Sequence, residues 1–178
     1  MKKNNIKFKR NVLPKSPTNI HGLDEITGGG LPKGRPTLVC GGAGCGKTLF
    51  AMEFLVRGAT IYNEPGVFIS FEETEKELTA NVASLGFDLD GLVERKKIWL
   101  EHIHIVRDDI EQSGEFDLEG LFIRIHYAIE SIGAKRVVLD TIESLYSELP
   151  NPIILRAELR RATRTSTFVP RLTGRRGD

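Results

Sequence analysis

The chain has 178 residues, of which 40% are hydrophobic and 28% charged, a composition typical of one globular domain with a real core. Its apolar runs fall short of the ~18 residues that a membrane helix needs, and its basic N-terminus lacks the apolar segment of a secretion signal, so we expect a cytoplasmic protein. The net charge of +1 conceals basic ends. Such ends can attract nucleic acid but are more often solvated tails, so nucleic-acid binding is not favoured.

The elements predicted first along the chain surround a glycine-rich loop. Residues 1–19 contain two prolines and many Lys and Asn residues, which predicts a basic, flexible leader. A turn-rich stretch then leads into a short strand at residues 37–40, and a helical pattern runs from residue 47 to about residue 57.

The next predicted strand, residues 67–71, is followed at once by two acids, Glu72 and Glu73. Thr74 and Glu77 have the spacing of a capping box, which predicts a helix that begins here and ends near Gly86. Another strand is predicted at residues 97–106.

The last third of the chain predicts a helix, a strand and a tail. Apolar residues recur at helical spacing from residue 117 to a stop at Gly133, and an apolar strand at 136–140 ends in Asp140. Because strands alternate with helices, the predicted fold class is α/β, a mostly parallel β-sheet with helices on both faces. We expect this domain at residues 20–161, incomplete at its C-terminus, and a basic, poorly ordered tail at 162–178.

The stretch GGAGCGKT has the phosphate-loop pattern G-x-x-x-x-G-K-[S/T] between a predicted strand and a predicted helix. Glycines let backbone N–H groups approach phosphate oxygens, Lys47 supplies positive charge to the outer phosphates, and Thr48 offers a hydroxyl ligand to Mg²⁺. A dinucleotide-binding loop is excluded because Lys47 stands where its third glycine is required. The predicted nucleotide-binding residues are Gly41, Gly42, Ala43, Gly44, Cys45, Gly46, Lys47, Thr48 and Leu49.

Three acids end predicted strands near this loop. Ligands of parallel α/β sheets bind at the carboxyl ends of the strands, so Asp140 is predicted to hold Mg²⁺ through water. Glu72, favoured over Glu73, is predicted to orient and polarise the water that attacks the γ-phosphate. The alternatives are that Asp140 only ends a core strand, and that the glutamates face solvent in a turn or shield the N-terminus of the next helix.

Four stretches resemble, in order, the KaiC-like branch of the RecA-type P-loop ATPases: GLDEITGGGLPKGRPTLVCGGAGCGKTLFAMEFL, EPGVFISFEET, GFDL and AKRVVLDTIESL. The resemblance covers residues 18–161 and implies a RecA-like fold, ATP and Mg²⁺ as cofactors, slow ATP hydrolysis and ring assembly, typically hexameric. By motif position it implies that residues 41–48 are the phosphate loop and that Glu72 and Glu73 are the paired catalytic glutamates. Asp140 is then the acid on the Mg²⁺ side.

The predicted function is a Mg²⁺-dependent ATPase domain coupled to ring assembly or signalling, with regulatory proteins as further partners. One alternative is a serine/threonine autokinase of the same family, although the members with that activity have two such domains. A second is a truncated nucleotide-binding fragment without turnover, because the likeness dissolves after Arg161 and a truncated sheet would lack central strands. A third alternative, a DNA-handling relative of the recombinases, is supported only by the basic ends and by the shared fold.

Overall fold

The computed structural model describes residues 13–104, 118–142 and 167–173. Within these ranges the helices are Leu23–Thr27 (α1), Lys47–Ile61 (α2), Glu75–Ala83 (α3), Leu89–Glu94 (α4) and Leu118–Ile132 (α5). The strands are Lys15–Ser16 (β1), Leu31–Pro32 (β2), Val39–Gly41 (β3), Gly66–Ser70 (β4), Ile98–His102 (β5), Arg136–Asp140 (β6) and Thr167–Thr173 (β7). Residues 1–12 of the predicted leader, 105–106 of a predicted strand, residue 117, and residues 143–166 and 174–178 lie outside the described residues.

The main sheet has five strands in the order β3-β7-β6-β4-β5, and every pair is parallel. Phe68 of β4 lies opposite Leu100 of β5 on one side and Val138 of β6 on the other. Because the strands are parallel, β3, β4 and β6 all end at the same edge, which we call the carboxyl edge. The opposite edge, where these strands begin, is the amino edge.

Helices cover both faces of this sheet because successive side chains of a strand point to opposite sides. On one face, Val67 and Val137 pack with α5, whereas on the other face Phe68 and Val138 pack with α2, α3 and α4. This arrangement confirms the predicted α/β class with a parallel sheet between two helical layers. None of the described helices is both long and apolar enough to cross a bilayer.

Strand β7 lies within residues 162–178, the segment for which a poorly ordered tail was predicted. It pairs with β3 on one side and with β6 on the other, where Leu139 lies opposite Pro170. It therefore occupies a central position in the sheet, where the truncation hypothesis expected a strand to be missing. Proline has no N–H to donate and normally marks an edge strand, so Pro170 conceals a central strand from sequence-based prediction.

Residues 13–19 also differ from the predicted flexible leader, since β1 pairs with β2 and Asp24 holds the following turn. The Asp24 carboxylate accepts hydrogen bonds from the Thr18 N–H (2.9 Å), the Thr18 hydroxyl (2.7 Å) and the Asn19 N–H (2.8 Å). Burial raises the pKa of Asp24, but these hydrogen bonds and the charge of Arg136 outweigh it and hold the pKa below its ordinary value.

Arg136, the first residue of β6, is a buried cation at the amino edge, with a relative exposure of 0%. Its guanidinium donates hydrogen bonds to Glu64 Oε2 (2.8 Å), to the Phe54 carbonyl (2.8 Å) and to the Pro17 carbonyl (2.9 Å). It also lies over the Phe54 ring, 4.5 Å from its centroid. We call these four residues the Arg136 clamp. It joins the N-terminal segment, α2 and the loop before β4 to β6, and its contacts satisfy a charge that would be costly to bury alone.

Candidate active site

The predicted phosphate loop connects β3 to α2 at the carboxyl edge. Gly44 and Gly46 have φ angles of 72° and 88°, a conformation that glycine adopts without strain. Gly46 is the N-cap of α2, and no side chain caps that end of the helix. The first backbone N–H groups of a helix lack partners within the helix, so this end of α2 can donate hydrogen bonds to an anion.

Lys47 is buried inside this loop. Its ammonium donates hydrogen bonds to the carbonyls of Gly41 (2.7 Å) and Gly42 (2.6 Å) and lies 3.6 Å from Cys45 Sγ. The same sulfur would lie 2.5 Å from a Cβ at position 41, so the loop closes tightly over this glycine. Ala43 and Cys45 are exposed members of the loop.

A cavity of about 310 Å³ opens at the N-terminus of α2 and joins the loop to one of the predicted acids. Its lining residues are Gly44, Gly46, Lys47, Thr48, Leu49, Glu73 and Asn81. Sequence reasoning missed Asn81, which lies on α3 two helical turns after the capping residue Thr74. Projecting α3 onto a helical wheel would have placed both residues on one side of the helix.

The two neighbouring glutamates at the end of β4 are held by different elements. Thr141 Oγ1 donates a hydrogen bond to Glu72 Oε1 (3.1 Å), which draws Glu72 toward the end of β6. Asn81 Nδ2 lies 3.4 Å from Glu73 Oε1 and donates to it from α3. The Glu73 N–H donates to Ser70 Oγ (2.9 Å). Glu73, and not the favoured Glu72, therefore lines the cavity.

Asp140 is the last residue of β6 and is 3% exposed. Its carbonyl accepts a hydrogen bond from the Phe71 N–H (2.8 Å), which ties the ends of β6 and β4 together. Strand β7 lies between β6 and β3, so Asp140 and the phosphate loop are about two strand spacings apart, or roughly 10 Å. That separation suits an acid that acts on the loop through a metal ion and water.

The residues present have the oxygen ligands that Mg²⁺ prefers. The Thr48 hydroxyl is in the first turn of α2 beside the cavity, and Asp140 supplies a carboxylate at the same edge of the sheet. Mg²⁺ is usually held by one or two protein oxygens together with substrate phosphates and water. The pair Thr48 and Asp140 fits that requirement.

A comparison with known protein families assigns the chain to one of them. Residues 16–167 match the family described as "ATPase: KaiC". The chain belongs to the KaiC ATPase family. Membership gives the domain its RecA-like P-loop fold and makes it, in general terms, an ATP-binding domain of the ATPase type. The match ends at Thr167, close to Arg161, the residue after which the likeness was predicted to dissolve.

Curated relatives share much of this sequence. "Circadian clock protein KaiC2" of Synechocystis sp. is 59% identical over 169 residues, which cover 93% of this chain and 30% of the relative. "Circadian clock oscillator protein KaiC" of Parathermosynechococcus lividus is 43% identical over 151 residues, covering 85% of this chain and 28% of that protein. The protein of the same name from Thermostichus vulcanus is 42% identical over 147 residues. The chain thus spans less than a third of the length of these relatives.

Proposed function

We propose that the domain binds ATP with Mg²⁺ at residues 41–48 and hydrolyses the bond to the γ-phosphate. The observation that supports this most is the cavity that brings Lys47, Thr48 and Glu73 together at the N-terminus of a fifteen-residue helix. Positive charge, backbone donors and a carboxylate converge there, which is the combination that phosphoryl transfer requires.

Each group of the site has a distinct task in this proposal. The backbone N–H groups of the loop and of α2 bind the phosphate oxygens, and Lys47 exchanges its carbonyl partners for the outer phosphates. Glu72 and Glu73 orient the attacking water and accept its proton. Thr48 and Asp140 would hold Mg²⁺. When bound, the cation would neutralise part of the negative charge on the phosphates.

The proposal is tested first at Lys47. Lys47→Ala should weaken ATP binding and lower phosphate release by at least about 100-fold, because the charge on the outer phosphates is lost in ground and transition states. Lys76→Ala is the matched control, since Lys76 is an exposed lysine on α3, and its activity should equal that of the wild type. A Lys47→Ala protein that binds and turns over ATP normally would contradict the proposed site.

The catalytic acids are separated by Glu72→Gln and Glu73→Gln, assayed with γ-labelled ATP. Loss of the general base should lower turnover by about 10²–10⁴-fold while ATP still binds. Label transferred to Ser or Thr of the protein would instead support the autokinase. Binding without phosphate release, with wild type and Glu72→Gln alike, would support a nucleotide-binding fragment.

We further propose that Mg-ATP promotes self-association of the domain, which its family membership supports. Solution mass measured by light scattering, with and without Mg-ATP, tests this independently of turnover. A mass that rises with nucleotide is expected, and a monomer in both conditions would contradict assembly by this chain.

A further inference from the structure

Thr141 is the residue that follows β6, and its side chain contacts one of the two predicted catalytic glutamates. Its relative exposure is 0%, yet its hydroxyl donates to Oε1 of the exposed Glu72 at 3.1 Å. One residue earlier in each segment, the Phe71 N–H donates to the Asp140 carbonyl. The ends of β4 and β6 are therefore joined once through the backbone and once through side chains.

The contact restricts a side chain that would otherwise be mobile. A glutamate on the surface loses about 1.5–2 kcal/mol of rotamer entropy when it is fixed, so an exposed carboxylate does not hold one orientation without a partner. Thr141 is rigid by comparison, because it is buried and branched at Cβ. The hydrogen bond therefore transfers the rigidity of the sheet to the Glu72 carboxylate.

The hydrogen bond also leaves the carboxylate able to act. A carboxylate has two acceptor oxygens, and Thr141 engages Oε1, so Oε2 retains the capacity to accept a hydrogen bond from water. Glu73 is directed differently, toward α3 by its contact with Asn81. Two adjacent acids thus have different hydrogen-bond partners, and Glu72 is held at the end of the strand that carries Asp140.

We propose that Thr141 is a positioning residue for hydrolysis, whose hydroxyl holds Glu72 in the orientation that aligns the attacking water. The inference rests on the proposed hydrolysis. Thr141 acts through Glu72 and not on the nucleotide, so its loss should change turnover and not ATP affinity.

The decisive variants are Thr141→Val, which keeps the shape but removes the donor, and Thr141→Ser, which keeps the donor. Misplacing a catalytic group by about 1 Å costs up to about 100-fold, so Thr141→Val should lower kcat by about 10- to 100-fold with KM and the Kd for a fluorescent ATP analogue unchanged. Thr141→Ser should restore kcat to near the wild-type value. Thr60→Val, which removes a hydroxyl bonded to the Val56 carbonyl on α2, is the matched control with wild-type kinetics.

A double-variant cycle shows whether Thr141 acts through Glu72. In the Glu72→Gln background, Thr141→Val should cause no further loss of kcat, because the carboxylate that it positions is already absent. Additive losses would overturn the proposal, as would wild-type kcat in Thr141→Val or an equally low kcat in Thr141→Ser.

If Thr141→Val does not fold, as shown by Trp99 fluorescence, Thr141→Cys replaces it, because a thiol is a weaker donor than the hydroxyl of Thr141→Ser at similar size. The Cys variant should then have the low kcat and the Ser variant the high one, and equal values would overturn the proposal. Wild-type protein that binds ATP without releasing phosphate would overturn the hydrolysis itself and the role of Thr141 with it. If wild-type protein releases phosphate and only the Thr141 variants depart from the expected kcat values, the role of Thr141 is overturned and the proposed hydrolysis is not.

Discussion

Neutralising Glu64 tests whether the Arg136 clamp stabilises the amino edge of the sheet. The variant Glu64→Gln keeps the shape of the side chain and an acceptor oxygen but removes the negative charge that lies 2.7 Å from the guanidinium. Arginine does not lose its proton in proteins. The fully buried cation therefore keeps its charge while its carboxylate partner is gone.

The size of the effect follows from the burial of the pair. Removing one partner of a buried ion pair costs about 3–5 kcal/mol, because the other charge is left uncompensated. Here the Glu64 side chain is 20% exposed, and the hydrogen bonds from Arg136 to Phe54 and Pro17 remain. We therefore expect the free energy of unfolding to fall by about 2–3 kcal/mol, against the roughly 5–15 kcal/mol of a typical domain.

Urea denaturation followed by the fluorescence of Trp99, the single tryptophan, measures this change. With an m-value of about 1–3 kcal/mol/M, the midpoint should fall by about 0.7–3 M. Lys33→Ala is the matched control, because Lys33 Nζ lies 3.5 Å from the same carboxylate but its side chain is 51% exposed. Exposed pairs contribute at most about 1 kcal/mol, so equal midpoints for the two variants would refute the reasoning.

Two further predictions concern packing and acid pH. Gly58→Ala should destabilise the protein by about 1–3 kcal/mol in urea, because a Cβ there would collide with Arg136. Alanine is otherwise the better helix former by about 1 kcal/mol, so a more stable variant would contradict this packing. Hydrogen bonds from the N–H and hydroxyl of Thr74 hold the pKa of Glu77 below its ordinary value of 4.5, so their stabilisation of α3 is present above that value and is lost as the pH falls through the lowered pKa. Circular dichroism between about pH 6 and pH 3 should show less acid-induced loss of helix for Glu77→Gln than for wild type, whereas equal losses would speak against the linkage.

The sequence predicts those features whose determinants lie within a few residues of one another. The capping box of α3 is confirmed, since the Glu77 N–H donates to Thr74 Oγ1 (3.4 Å) and the Thr74 N–H donates to Glu77 Oε2 (2.8 Å). The α/β alternation likewise follows from local periodicity, and the phosphate-loop pattern from spacing within eight residues. The catalytic and metal-binding roles of the site residues stay predictions.

Contacts between distant parts of the chain are not predictable in this way. Thr141 and Glu72 are 69 positions apart, and Arg136 and Pro17 are 119 positions apart. Arg136 opens a strand whose next three residues are apolar, and nothing in these neighbours indicates that its charge is buried. Helix α4 is missed for a different reason, because its six residues are too few for a helical period to emerge.

Strand β6 links stability to chemistry along its length. It begins at Arg136, in the clamp, and ends at Asp140 beside Thr141, and its five residues separate the two ends by about 13–16 Å at a rise of ~3.3 Å per residue. Substitutions this far apart, with no shared partner, usually act independently. Glu64→Gln should therefore lower the urea midpoint. At urea concentrations where the variant is still folded, its KM should be unchanged. Thr141→Val should lower kcat with little change in the midpoint. If Glu64→Gln lowered kcat as much as Thr141→Val does, the carboxyl edge would depend on the clamp, and the assignment of Thr141 as a local positioning residue would lose its basis.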